Sequence, residues 1–212
     1  MILHSDELIK LETRYRANLI NSLGGFKSLV LIGTKSDSGN ENLATFSSLF
    51  HLGANPALTG IIIRPGDPEQ NTLGNIITTG QYTINHVLPS FYKKAHQCAA
   101  KYDPGISEFD TCGLTPCYEE GITAPFVQES AIRFACELVQ KTDIELNGTY
   151  FVIGKIIHIN LPGQFIQPDG YIDLEAAGTV TCSGLDSYHT TNRLARLSYP
   201  KTDKPVTETP IV

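Results

Sequence analysis

The chain has 212 residues, 41% of them hydrophobic and 18% charged, and a formal net charge of -6, which fits one globular core and excludes a disordered or fibrous chain. Its basic residues are scattered singly or in pairs such as Lys93-Lys94, so there is no cationic track for a nucleic-acid backbone. The longest apolar runs, Leu29 to Ile32 and Ile61 to Ile63, fall far short of the roughly 18 residues of a membrane-spanning helix, and the acidic opening Met1 to Glu7 lacks the pattern of a secretory signal, so a cytoplasmic location is expected.

In chain order, a helix is predicted over Ser5 to Leu23, with Ser5 as cap, Leu8, Leu11, Tyr15, Leu19 and Leu23 at helical spacing, and Gly24-Gly25 as the stop. Ser28 to Thr34 reads as a strand, Asp37 to Asn40 as a turn, and Asn42 to Phe50 as the returning strand of a hairpin. His51 to Pro56 reads as a loop and Leu58 to Arg64 as a β-branched strand, before Pro65-Gly66-Asp67-Pro68 breaks the chain ahead of a helix from Asn71 to Gly80. Gln81 to Val87 is a predicted strand, Ser90 to Tyr102 a helix capped by Ser90, and Asp103 to Phe126 a loop-rich stretch.

Farther on, Ile132, Phe134, Cys136 and Leu138 alternate with Arg133, Ala135 and Glu137, the period of a half-buried strand. Asn147-Gly148 marks a tight turn, and Thr149 to Leu161 returns as a second long strand. Many strands, few helices and short antiparallel connections indicate a mainly β fold, a closed or nearly closed β-barrel with peripheral helices. Residues 1–199 read as one domain and 200–212 as a loosely held polar tail.

The five cysteines, Cys98, Cys112, Cys117, Cys136 and Cys182, are odd in number and form no CxxC pair, which argues against a disulfide framework and a metal site. No glycine-rich phosphate loop and no hydrolytic motif is present. The polar chemistry clusters between residues 42 and 86. Thr45, Ser47 and Ser48 place three hydroxyls where a strand leaves its sheet, either bonding water or, with the freed backbone N–H groups, binding a ligand. A helix opening at Asn71-Thr72 offers N–H groups to a phosphate, and Arg64 could add a bidentate fork; the plainer reading is capping beside an exposed Arg. His86 and His96 read as packed groups or pocket donors, and Glu129 as a strand-end cap or a carboxylate facing a site.

The run Asn42-Leu43-Ala44-Thr45-Phe46-Ser47-Ser48, followed by Asn55-Pro56-Ala57-Leu58, Asn71-Thr72-Leu73-Gly74-Asn75-Ile76 and Tyr82-Thr83-Ile84-Asn85-His86, resembles the flavin reductase-like family of FMN-binding split barrels. The likeness continues through Ala95-His96, Ser107-Glu108-Phe109, Ala124 to Ser130 and Asn147-Gly148-Thr149, with the flavoredoxin branch nearest. It implies an antiparallel, Greek-key split barrel that forms a homodimer. FMN would contact Asn42, Thr45, Phe46, Ser47, Ser48, Leu49, Asn75, Asn85 and His86, with its phosphate on Arg64, Asn71 and Thr72. His86, His96 and Glu129 become the catalytic candidates, and Gly184 to His189 a segment covering the cofactor from its own or the partner subunit. Thr45 stands where relatives commonly have Pro, and Asn71 where they have His or a charged residue. The resemblance implies an NAD(P)H-dependent flavin reductase; the alternatives are a flavoredoxin-type electron carrier serving a redox protein, and a non-catalytic flavin-binding barrel.

Overall fold

The computed structural model describes residues 1–66, 72–103 and 105–211. One antiparallel sheet of seven strands dominates it, built from β2 (Val30–Lys35), β3 (Glu41–Phe46), β4 (Phe50–Ala54), β5 (Ala57–Ile63), β6 (Gln81–His86), β9 (Arg133–Ile144) and β10 (Thr149–Asn160). Their order across the sheet is β3-β2-β6-β9-β10-β5-β4. The chain therefore leaves the β4–β5 hairpin and returns on the far side of β2.

This order forces the sheet to curl. β3 and β4 are consecutive in sequence yet lie at opposite ends of the sheet. A flat sheet of that width would separate its edges by about 29 Å, whereas the step from Phe46 to Phe50 reaches at most about 15 Å. Ser47 to Leu49 span the gap, and no ladder joins β3 to β4 among the described residues, so the barrel is split along this line.

Packing follows the same logic. Val30, Ile32, Ile61, Ile63, Tyr82, Ile84, Cys136 and Val152, from β2, β5, β6, β9 and β10, fill the interior together with Leu73 and Ile76 of α3 (Thr72–Thr79). A second cluster lies on the outer face of β2 and β3. There Leu31 and Leu43 pack under Ala95 of α4 (Tyr92–Gln97) and Phe109 and Cys112 of α5 (Glu108–Cys112). β2 is thus buried on both faces, which explains its unbroken apolar run. Glu108 is itself buried, and its carboxylate accepts the Leu43 N–H at 2.9 Å on the free edge of β3. Desolvation raises its pKa above the usual carboxylate value.

Two small sheets complete the fold. β1 (Lys27–Ser28) pairs with β11 (Thr181–Ser183), which pairs with β12 (Ser187–His189), while β7 (Pro116–Cys117) pairs with β8 (Phe126–Val127). Residues 200–211 turn back on the preceding chain through Ser198 N–H to Thr207 O and Thr209 N–H to Arg196 O, both 2.8 Å.

Several expected boundaries move. The first helix is two, α1 (Ser5–Leu8) and α2 (Thr13–Leu23), because the Glu12 carboxylate accepts the N–H groups of Arg14 and Tyr15 and starts a new helix. Ser5 is the first residue of α1 and His4 its cap. The strand expected to end at Phe50 stops at Phe46, and the expected loop from His51 to Pro56 contains β4, an exposed edge strand without alternating burial. α4 starts at Tyr92 behind Phe91, so Ser90 caps nothing. α5 and two short strands lie in the stretch read as loop.

Candidate functional site

The hydroxyl and amide residues singled out in the sequence converge on β3 and its exit. Asn42 lies opposite Thr34 in the β2–β3 ladder, and its amide donates to Thr34 Oγ1 at 3.1 Å and Thr72 Oγ1 at 3.0 Å. Asn75, one turn into α3, donates to the same Thr34 hydroxyl at 3.0 Å. Three elements are thereby locked around one fully buried threonine. Both Asn42 amide hydrogens are thereby committed, while its carbonyl oxygen and the Thr72 hydroxyl hydrogen have no further partner among the described residues.

At the other end of β3, Ser48 does the work of a strand residue with its side chain. Its hydroxyl donates to Ile62 O at 2.9 Å and accepts from Ile62 N–H at 3.1 Å. Its own backbone N–H meets no acceptor among the described residues. Ser28 fixes the same segment by donating to Leu49 O at 3.0 Å, and Phe46 and Leu49 pack against the barrel interior. Ser47 contacts the Cys182 thiol of β11. Arg64 follows β5 directly; it is exposed and pairs with no carboxylate among the described residues. The antiparallel registers bring the C-terminal ends of β2, β9 and β5 to one end of the barrel, and there Arg64 follows β5 while Thr72 is held by Asn42 opposite Thr34. Asn71 lies outside the described residues.

The Thr45 hydroxyl hydrogen-bonds the Ala95 carbonyl, which ties β3 to α4. The next residue, His96, is exposed and hydrogen-bonded through Nδ1 to the Tyr188 hydroxyl. Tyr188 lies opposite Cys182 in the β11–β12 hairpin, so the segment Gly184 to His189 packs against α4 of its own chain. Burial raises the Tyr188 pKa, with Cys182 and Asp186 adding to the shift. A cleft of about 290 Å³ opens here, lined by Tyr92, Lys93, His96, Asp186 and Tyr188. His96 and the segment Gly184 to His189 stood out in the sequence, but Thr34 did not, nor did Tyr92 and Lys93 of this cleft. Thr34 could have been found as the residue facing Asn42 across the hairpin, whereas nothing local marks Lys93.

Other candidates take different roles. Asn85 is fully buried; its amide donates to Leu31 O at 3.1 Å and Thr83 Oγ1 at 3.0 Å, and its carbonyl accepts Val127 N–H at 2.9 Å. The expected cofactor contact is therefore corrected: Asn85 pins β8 to β2 and β6. Glu129 accepts the Thr115 N–H at 3.1 Å and its hydroxyl at 3.0 Å, a loop clamp rather than a group poised over the cradle. His86 is largely buried, with Nδ1 3.2 Å from Thr179 Oγ1 and its ring edge-on to Phe134. Burial lowers its pKa to about 4, so it is neutral near pH 7 and cannot act there as a cationic acid.

Comparison with known proteins agrees with this fold. The model of the flavin reductase like domain matches residues 23–174. The crystal structure of a Shewanella frigidimarina protein provisionally assigned as a flavin reductase with a split barrel domain superposes with a TM-score of 0.91 at 50% identity, over 94% of this chain and 100% of that one. Two more distant structures share the fold. Nitrilotriacetate monooxygenase component B from Bacillus cereus has a TM-score of 0.81 at 20% identity, over 93% of this chain and 98% of that one. The flavoredoxin of Desulfovibrio vulgaris has 0.69 at 19%, over 84% and 92%. With a split barrel closed at Ser47 to Leu49 and a family match through most of its length, the chain belongs to the flavin reductase-like family of oxidoreductases.

Proposed function

We propose that the protein binds FMN along β3 and Ser47 to Leu49, and reduces it with NAD(P)H as a cytoplasmic homodimer. The observation that carries this reading is the Ser48 arrangement: the side chain replaces a ladder pair on Ile62, and the backbone N–H has no protein acceptor among the described residues. A free N–H on a rigid strand exit suits the polar edge of a flavin ring.

The remaining donors fit the rest of the cofactor. The Thr72 hydroxyl and the Arg64 guanidinium offer a neutral and a charged donor to a phosphate at one end of the barrel. Thr45 is spent on Ala95 O and positions the strand. When bound, flavin supplies hydride chemistry at its N5 position. The chain's part is to orient and to exclude water, so the family chemistry needs no acid–base pair among its residues. The homodimer follows from the family reading, and the exposed side chains of Leu23 (74%), Phe26 (70%) and Ile159 (61%) are available to a second copy.

The test is to load the purified protein with FMN and add NADH or NADPH without oxygen. Bleaching of the visible band is the expected result. A yellow protein that neither nucleotide bleaches overturns the reductase reading in favour of a flavoredoxin-type carrier, and failure to retain FMN overturns flavin binding itself.

A further inference from the structure

The cleft between α4 and the β11–β12 hairpin has a composition that the flavin cradle does not use. Its wall is aromatic: the rings of Tyr92 and Tyr188 lie 5.6 Å apart with planes tilted by 55°, and His96 meets Tyr188 edge-on at 5.6 Å. Its rim carries one cation and one anion, Lys93 and Asp186. Both are exposed, and neither is ion-paired among the described residues. The volume of about 290 Å³ sits at the lower end of small-molecule sites, room for a nucleoside but not for a whole dinucleotide.

We propose that this cleft receives the adenosine end of the nicotinamide dinucleotide, with Asp186 accepting hydrogen bonds from the ribose diol and thereby selecting NADH over NADPH. The proposal rests on the reductase reading and adds to it the choice of reductant and the residue that makes the choice. Tilted aromatic rings such as Tyr92 and Tyr188 offer edge and face contacts to a planar base, and Lys93, whose ammonium lies 6.0 Å from the Tyr92 ring centre, meets the pyrophosphate as a point charge. A carboxylate pairs with two ribose hydroxyls, whereas a 2′-phosphate in their place sets two anions together without compensation. The location is consistent with the cradle, because His96 on the cleft wall directly follows Ala95, which holds the Thr45 hydroxyl.

The experiment uses the full-length, FMN-loaded protein and measures binding rather than turnover, by calorimetric titration with ADP-ribose and with its 2′-phosphorylated form. The wild type is expected to bind ADP-ribose at least tenfold more tightly. Asp186→Asn should bring the two affinities within about threefold, and Lys93→Ala should weaken both several-fold. Both side chains are exposed, and an unchanged melting temperature checks that the variants are folded. A preference for the 2′-phosphate, or a preference that survives Asp186→Asn, overturns the assignment. If NADH bleaches the flavin but ADP-ribose fails to bind, this inference alone falls; if neither nucleotide binds or bleaches, the reductase reading falls with it.

Discussion

Asn42 and Thr72, thirty residues apart, are joined by a 3.0 Å hydrogen bond that fixes the start of α3 against β3. The same Asn42 amide donates to Thr34, so truncation to Ala would take the donor from the Thr72 hydroxyl and leave Thr34 held by Asn75 alone. Asn42→Ala is expected to lose about 1–3 kcal/mol of stability and about tenfold in FMN affinity. Urea unfolding and a flavin fluorescence titration read the two effects separately.

Gly154 in β10 lies against Tyr82. A Cβ at this position would stand 2.0 Å from the Tyr82 hydroxyl and 2.9 Å from Cys136 Cβ, inside a core where neither neighbour can withdraw, since both are fully buried. Gly154→Ala should therefore destabilise by about 1–3 kcal/mol or more. Adding Tyr82→Phe should return part of the loss. A double variant no better than the single one would disprove the steric account.

His86 gives a pH signature. Its pKa is about 4 in the folded chain against about 6.5 when unfolded, so unfolding takes up a proton. Its contribution to stability is complete above about pH 6.5 and is lost as the pH falls toward 4, up to about 3 kcal/mol in all. In His86→Gln this loss should vanish. Urea midpoints for the two proteins should converge on acidification from pH 7 to 4.5.

Glu108 has the opposite sign. Its folded pKa is raised by desolvation, so the protonated form favours folding, and its contribution fades as the pH rises through that value. Glu108→Gln keeps an acceptor for the Leu43 N–H without the buried charge. It should match the wild type near pH 4 and exceed it in stability at pH 7. Glu108→Ala should be weaker than both at neutral pH, because it orphans the N–H.

The long hairpin β9–β10 was legible from the alternation of Ile132 to Leu138 and the Asn147-Gly148 turn, although the sheet buries both faces where Ala135 and Cys136 sit side by side. β4 was not, since Phe50 to Ala54 pair only with β5 and lie mostly exposed, leaving no alternation to read. The break before Thr13 was hidden because the apolar spacing of Leu8, Leu11 and Tyr15 runs straight through a cap made by Glu12. At the site, Asn42, Ser48 and Thr72 could be picked out by type and order. Their spent and unspent hydrogen bonds could not, because these depend on Thr34 and Ile62, which only the closed sheet brings alongside. Asn85 shows the converse: a polar residue in a family motif whose every amide group is used within the core.

The most direct measurement is an equilibrium titration of the purified protein and its Arg64→Ala variant with FMN, followed by quenching of flavin fluorescence. Saturable binding by the wild type, weakened at least tenfold in the variant with melting temperature unchanged, is the expected result. Equal affinity in the two proteins would contradict the placement of the phosphate at Arg64 and Thr72, and no binding by either would contradict the flavin cradle itself.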